Sequence, residues 1–206
     1  MQILLYLCSM KMVFATNNAH KLDEVRHILP ADIDVISLEE LGYTDEIEET
    51  GATLDENSRI KAETISQWLT ARGQWNTIDG VFADDTGLEI DALGGKPGVY
   101  TARWAGEAAA NRQKALRELA GETNRKAQFR TVVTLITADG RTQQVSGVVG
   151  GRIADSEYGN GGFGYDPVFI PDGYDRTFAE LPAELKNAIS HRARAMSELK
   201  RILHVS

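Results

Sequence analysis

Short apolar runs ending in polar clusters alternate along this chain with segments whose apolar residues recur every three or four positions, the pattern of alternating strands and helices. Met12-Val13-Phe14-Ala15 reads as a buried strand that enters a polar loop at Thr16-Asn17-Asn18. Over Lys21–Leu29 the apolar positions Leu22, Val25 and Leu29 fall on one helical face, and Pro30 stops the helix. Val35-Ile36-Ser37-Leu38 predicts a second strand. Thr53-Leu54-Asp55-Glu56 is a capping box that opens a helix reaching about Arg72, with Ile65, Trp68 and Leu69 inward. Val81-Phe82-Ala83 predicts a third strand, ending in Asp84-Asp85-Thr86-Gly87, and residues 107–120 a further helix with Leu116 and Leu119 inward.

Beyond residue 125 the pattern turns β-branched. Phe129–Thr137 and Thr142–Val149 flank Ala138-Asp139-Gly140-Arg141, whose Asp-Gly pair signals a hairpin. Val168-Phe169-Ile170, between Pro167 and Pro171, is a last strand. Ser190 caps a final helix carrying Met196, Leu199 and Leu203 on one face. Alternating helices and strands with a late hairpin predict an α/β fold with a mixed sheet and two lobes around a cleft. No internal repeat or linker interrupts it.

The chain has 206 residues and a formal net charge of −8, with 42% hydrophobic and 25% charged positions. That composition is globular, and the length buries a sizeable core in one domain or two small lobes. The acidic balance argues against a polymer bound through its phosphate backbone, and so against nucleic acid as a partner. A small anionic ligand, which needs only a few cations, stays open. A single cysteine, Cys8, excludes an internal disulfide framework and suits a reducing cytoplasm. His20, His27, His191 and His204 show no zinc-ligand spacing, and no apolar run approaches the roughly 18 residues of a membrane span. Residues 1–9 lack the basic flank and apolar length of a signal peptide. They are expected to be an extension before a single catalytic domain at 10–206, with Met10 or Met12 as alternative starts.

Five segments carry candidate chemistry. Thr16-Asn17-Asn18-Ala19-His20-Lys21 joins a strand end to a helix start, where backbone N–H groups attract anions; taken alone, a plain N-cap loop with Asn18 capping is the favoured reading. Glu46, Glu48 and Glu49 precede Thr50-Gly51, with Glu56-Asn57 and Lys61 on the capped helix; loop carboxylates suit Mg²⁺, or are simply solvated. Asp84-Asp85 repel one another at the expected end of an apolar strand, which favours a cation or a functional role over an Asx-turn. Gly159–Gly164 matches G-x-G-x-x-G, but Asp166-Pro167 leads into a strand rather than a helix, so the dinucleotide fingerprint is rejected. Phe163 and Tyr165 in that loop either stack on a base or pack in the core. Ser190-His191-Arg192 puts cations in the first turn of a helix, against the macrodipole, with Lys186 nearby, and an anionic or acceptor-rich ligand would offset the penalty. Jointly these describe a magnesium-dependent nucleotide enzyme. The absence of a Walker A sequence argues against a P-loop kinase or GTPase.

Along nearly its whole length the chain resembles the inosine triphosphate pyrophosphatase family. The resemblance rests on Phe14–Lys21, on Glu49-Thr50-Gly51 with Glu56-Asn57 and Lys61, and on Ala83–Leu88. It continues through Pro97–Arg103, Gly161–Pro167 and Ser190-His191-Arg192. Asn17 and Thr86 depart from the Gly and Ser usual in the family, and neither change removes a functional group. The resemblance implies an elongated mixed α/β fold with a central cleft, usually a homodimer, that splits inosine, xanthosine and deoxyinosine triphosphates into monophosphate and pyrophosphate and so cleanses the nucleotide pool. By motif position it implies that Glu49 and Asp85 hold Mg²⁺, with Asp85 also activating water. It assigns Thr16, Asn17, Asn18, Ala19, His20, Lys21, Lys61 and Thr86 to the triphosphate. Phe163, Gly164 and Tyr165 flank the base, and Asp166, Lys186, His191 and Arg192 bind its edge and neighbouring groups.

Chemistry is consistent with that reading. Mg²⁺ and lysines neutralise a triphosphate for attack. A donor from Arg192 or His191 aimed at O6 would be left unpaired by adenine, at about 1–3 kcal/mol. Three other readings remain: a non-hydrolysing nucleotide sensor, which could dispense with Asp85; a pyrophosphatase for other modified nucleotides on the same fold; and a glycoside hydrolase built on Asp84 and Asp85, which lack an evident separate acid partner.

Overall fold

The computed structural model describes residues 9–204. The expected extension at 1–9 lies, but for Ser9, outside the described residues. The organising element is β3 (Gly80–Ile90), an eleven-residue strand at the middle of a seven-stranded mixed sheet. β1 (Met10–Phe14) and β2 (Ile33–Ile36) lie parallel on one side, joined by helix α1 (Ala19–Ile28) as a crossover. On the other side β5 (Lys126–Thr137), β6 (Thr142–Ile153) and β7 (Phe169–Pro171) follow antiparallel, giving the order β2-β1-β3-β5-β6-β7. The β5–β6 hairpin turns at Asp139-Gly140, with Gly140 at a positive φ of 83°.

Alternation along the strands sends successive residues to opposite faces. Met12, Phe14 and Phe82 join Val25 of α1 and Met196 and Leu199 of helix α6 (His191–Leu203). Val13, Ala15, Val81 and Ala83 pack on Ile65 and Leu69 of helix α3 (Leu54–Arg72). A third apolar cluster gathers Leu88, Ile90, Phe129, Phe169 and Phe178 with Leu119, which follows helix α4 (Ala108–Glu118). The mixed sheet flanked by helices is thus the expected architecture, with separate cores at the two ends of β3.

Several boundaries differ from the pattern-based expectation. Leu38 leaves the second strand: Ser37 and Glu40 form a second capping box that starts the short helix α2 (Leu38–Leu41). Val168 belongs to a 3-10 turn, Asp166–Val168, ahead of β7. Trp68, Leu116 and Leu203 are only half-buried.

The larger correction concerns Asp84 and Asp85, which do not end β3. The strand continues through them because Thr86–Ile90 go on pairing with β5 down to Ala127, and Leu88 and Ile90 resume the buried alternation. What ends there is the neighbour. β1 pairs with Gly80–Phe82, and the two-residue β4 (Pro97–Gly98) pairs with Leu88 and Glu89. The interval between them leaves a stretch of β3 edge that no strand covers among the described residues. The position beyond a strand's carboxyl end is therefore that of β1, beside this open edge.

Two helix starts converge on it. Asn18 caps α1 by accepting from the Lys21 amide at 3.1 Å, and Ser190 caps α6 by accepting from the Ala193 amide at 3.1 Å. α6 lies unusually close to the sheet because Gly147 of β6 has no side chain: a Cβ there would overlap the His191 carbonyl and the Ala195 amide.

Candidate active site

The open edge of β3 forms the floor of a cleft of about 750 Å³, the size of a small-molecule site. Of the residues the sequence puts in the site, all line it except Ala19. Ala19 is the first residue of α1, and its exposed side chain lies outside the cleft.

At one end stand two carboxylates and a lysine. The Glu49 loop is held by the start of α3: Asn57 Oδ1 accepts from the Gly51 amide at 2.8 Å, and Glu56 completes the capping box. Glu56 and Asn57 are thus loop fasteners and not ligands. Lys61 Nζ is 2.6 Å from Glu49 Oε1 and 3.5 Å from Asp85 Oδ1, so both carboxylates converge on one cationic position. Asp85 is buried; its Oδ1 accepts from the Thr86 amide at 3.0 Å, and its Oδ2 has no hydrogen-bond partner among the described residues. Burial pushes the Asp85 carboxyl upward, with Lys61 and Lys21 opposing. A buried, unpartnered carboxylate oxygen carries a penalty that a cation relieves. Two converging carboxylates, one with a bare oxygen, are a donor set that suits a hard divalent cation completed by water and substrate phosphates.

The family model described as the Ham1 family matches residues 12–202, nearly the whole chain. The chain belongs to the Ham1 family. It is 46% identical over 197 residues to the dITP/XTP pyrophosphatase of Porphyromonas gingivalis, covering 94% of this chain and 97% of that one. It is 45% identical over 197 residues to the dITP/XTP pyrophosphatase of Bacillus subtilis, covering 93% and 96%. Among solved structures it resembles a HAM1 protein from Coxiella burnetii, at TM-score 0.82 and 36% identity over 95% of this chain and 98% of that one. The Staphylococcus aureus Ham1 protein gives 0.81 and 41% over 94% and 98%. The family and fold expected from the sequence are those found.

The far end of the Ham1-family cleft is a buried ion network. Asp84, 1% exposed, takes Lys21 Nζ at 2.8 Å and the Arg192 guanidinium at 3.3 Å. Burial alone would raise its pKa, but Lys21 and Arg192 outweigh that and hold the carboxyl well below the usual range. Arg192, also 1% exposed, ion-pairs with Glu24 of α1 as well, and Glu24 binds Lys186 Nζ at 2.6 Å. Lys186 in turn reaches Asp166 Oδ2 at 2.5 Å. Of the two residues expected as cations at the start of α6, only Arg192 carries a charge, and the chain's own Asp84 and Glu24 offset it, so a ligand is not required to explain it. The repulsion of the Asp84-Asp85 pair is resolved the same way, since the two side chains serve different partners.

Phe163 and Tyr165 divide the two possibilities open to them. Phe163 lines the cleft, stacked on His20 with centroids 5.3 Å apart, and with Lys186 Nζ 4.8 Å and Arg192 Cζ 5.7 Å from its ring centre. Asp166 Oδ2 accepts from the Phe163 amide at 2.7 Å and so fixes the loop that presents the ring. Tyr165, 4% exposed, belongs to the apolar cluster and donates its hydroxyl to the Thr101 carbonyl at 3.2 Å; burial pushes the phenol pKa upward, so the hydroxyl stays protonated.

His191 is buried against Phe129, and its Nδ1 lies 2.7 Å from Thr131 Oγ1. Burial, with Arg192 and Lys186 adding repulsion, holds its pKa well below the ordinary 6.5. The folded ring stays neutral where the unfolded one takes a proton. This stability is complete above pH 6.5 and declines as pH falls toward the folded value, at a limiting slope of about 1.4 kcal/mol per pH unit. Between pH 7 and 5.5 wild type should lose about 1 kcal/mol more than His191→Gln in urea denaturation. Equal losses would mean that the ring protonates in the fold.

Four positions with no role assigned from the sequence help to build the site: Glu24, Thr131, Arg103 and Asn111. Arg103 NH1 lies 3.7 Å from Glu49 Oε2 at the cleft mouth, and buried Asn111 holds that segment through the Ala105 amide at 2.5 Å and the Ala102 carbonyl at 3.0 Å. Glu24 and Thr131 look like ordinary helix and strand polar residues in the sequence. Nothing there shows that Glu24 meets residues more than 160 positions away.

Proposed function

We propose that this chain hydrolyses dITP, XTP and ITP to the nucleoside monophosphate and pyrophosphate. Its relatives named dITP/XTP pyrophosphatase match it over nearly its full length. The observation that carries the chemistry is Asp85: a buried carboxylate with one bare oxygen, converging with Glu49 on a single cationic position. Mg²⁺, when held by Glu49 and Asp85, would neutralise the phosphate charge and polarise the reacting phosphoryl group. Asp85 accepts the proton of the attacking water. Lys61 and Lys21, with the Thr16–Asn18 loop and Thr86, orient the phosphates, and Phe163 offers its face to the base. Asp166, Lys186 and Arg192 brace the base end, and His191 presents an imidazole there.

A bound nucleotide needs no membrane, and no helix among the described residues is long and apolar enough to cross one. The reading extends to a homodimer of single catalytic domains at 10–206 acting in the cytoplasm. A glycoside hydrolase is disfavoured because Asp84 is committed to Lys21 and Arg192 and cannot serve as the second acid.

The test is Mg²⁺-dependent product release across dITP, ITP, XTP, GTP and ATP. Pyrophosphate should be the direct product, with 6-oxo purines preferred over ATP by tenfold or more, as about 1.4 kcal/mol of discrimination gives. Orthophosphate alone, or equal rates on ATP and ITP, rejects the proposal.

A further inference from the structure

One buried hydroxyl has no part in the chemistry above. Thr131 of β5 is fully buried between Thr86 of β3 and His191 of α6. Its Oγ1 lies 2.8 Å from Thr86 Oγ1 and 2.7 Å from His191 Nδ1, both good distances for O–H donors. Each hydroxyl carries one proton, and a neutral imidazole carries one on either nitrogen.

Thr131 could accept from both neighbours, but its own buried proton would then have no acceptor among the described residues, which leaves two arrangements that satisfy every group. In one, Thr86 donates to Thr131, Thr131 donates to Nδ1, and the ring proton sits on Nε2. In the other the direction reverses: Nδ1–H donates to Thr131, Thr131 donates to Thr86, and the Thr86 proton must turn to Asp84 Oδ2 at 3.4 Å. That distance is well beyond the 2.5–3.0 Å of an effective O–H···O bond. The charges agree with the first arrangement. Arg192 Nη2 lies 3.4 Å from Thr86 Oγ1, too far for a good hydrogen bond but near enough for its positive charge to favour a lone pair on that side of the hydroxyl. Asp84 Oδ2 is already taken by the Arg192 guanidinium.

We infer that Thr131 relays the polarity of the Asp84–Arg192 pair to His191 and fixes the imidazole as the tautomer protonated at Nε2, so that His191 offers the cleft a donor and not an acceptor. Nε2 has no protein partner among the described residues, and His191 lines the cleft. Arg192, by contrast, spends its N–H groups on Glu24, Asp84 and Thr86. Resting on the function proposed above, this makes the His191 ring the donor for a purine oxo group and Thr131 a positioning residue for specificity. A mispolarised ring would face that oxo group with a lone pair.

The experiment combines histidine ¹⁵N NMR with the ratio of kcat/KM for dITP to that for dATP. His191 signals are assigned by their loss in His191→Gln. In wild type the protonated nitrogen should be Nε2. Thr131→Val, which keeps the shape and removes the hydroxyl, should mix the two tautomers and lower the dITP:dATP ratio about three- to tenfold, the equivalent of one lost hydrogen bond. Thr131→Ser, which keeps the hydroxyl, should retain the wild-type spectrum and ratio; Thr131→Ala is the second hydroxyl-free variant should the valine protein not fold. A wild-type ring protonated at Nδ1, or an unchanged ratio in both hydroxyl-free variants, overturns the inference. If wild type shows no preference for dITP at all, the proposed function fails instead, while the spectrum still decides the tautomer.

Discussion

Asp85→Asn is expected to lower kcat for dITP by about a thousandfold or more while leaving nucleotide affinity within roughly tenfold of wild type, because under the proposed function a general base and a metal carboxylate are lost together. The substitution is nearly isosteric, and the local structure needs only what an amide also supplies: Asp85 Oδ1 accepts from the Thr86 amide at 3.0 Å. The bare Oδ2 is what changes, from a carboxylate oxygen able to take a proton or a cation to one end of a neutral amide. Affinity should persist because Lys21, Lys61 and the loop before α1 remain, and Lys61 keeps Glu49 at 2.6 Å. Stopped product release and equilibrium nucleotide binding, measured on the same protein, separate the two effects. Residual turnover within tenfold of wild type would remove Asp85 from the chemistry. Loss of binding with normal turnover at saturation would make it a binding residue only.

The second large effect falls on stability. Arg192→Ala should destabilise the fold by about 3–5 kcal/mol, the cost of removing one partner from a buried ion pair. Asp84 loses the guanidinium at 3.3 Å and keeps only Lys21 at 2.8 Å, while Glu24 keeps only Lys186 at 2.6 Å. Phe163 also loses a cation 5.7 Å from its ring centre. Urea denaturation at neutral pH measures the change. Arg192→Met combined with Asp84→Asn should recover part of the loss, since an uncompensated buried charge costs more than an absent pair. A single-variant loss under 1 kcal/mol would mean that water reaches and solvates Asp84. The sequence adds a second expected effect, a change in base preference through contact at Arg192, which lines the cleft. The ion pairs with Glu24 and Asp84 give that arginine a further part, holding α1, β3 and α6 together.

Much of the fold was legible because it depends on local rules. The capping box at Thr53 and Glu56, the Asp139-Gly140 turn, and the Ser190 cap each act within four residues, and each stands where the pattern puts it. The misread strand end at Asp84-Asp85 shows the limit. Two acids in a row break the hydrophobic pattern, yet β3 runs through them because their cations arrive from α1, α3 and α6 and because β1 stops alongside. Tyr165 shows it again: a glycine-rich, aromatic loop in sequence does not reveal that both rings reach the cleft while only Tyr165 is also buried in the apolar cluster.

By itself the sequence determined the alternation of elements, the family, and the residue types from which a magnesium-nucleotide cleft could be assembled. Tertiary structure alone decided the partnerships: Asp84 with Lys21 and Arg192, Asp85 with Glu49 across Lys61, Glu24 with Lys186, and Thr131 between Thr86 and His191. The reason is physical. Caps, turns and periodicity arise from near neighbours in the chain, whereas the strength of a charge or hydroxyl depends on burial and on a partner a few ångströms away, and those are set only when distant segments meet.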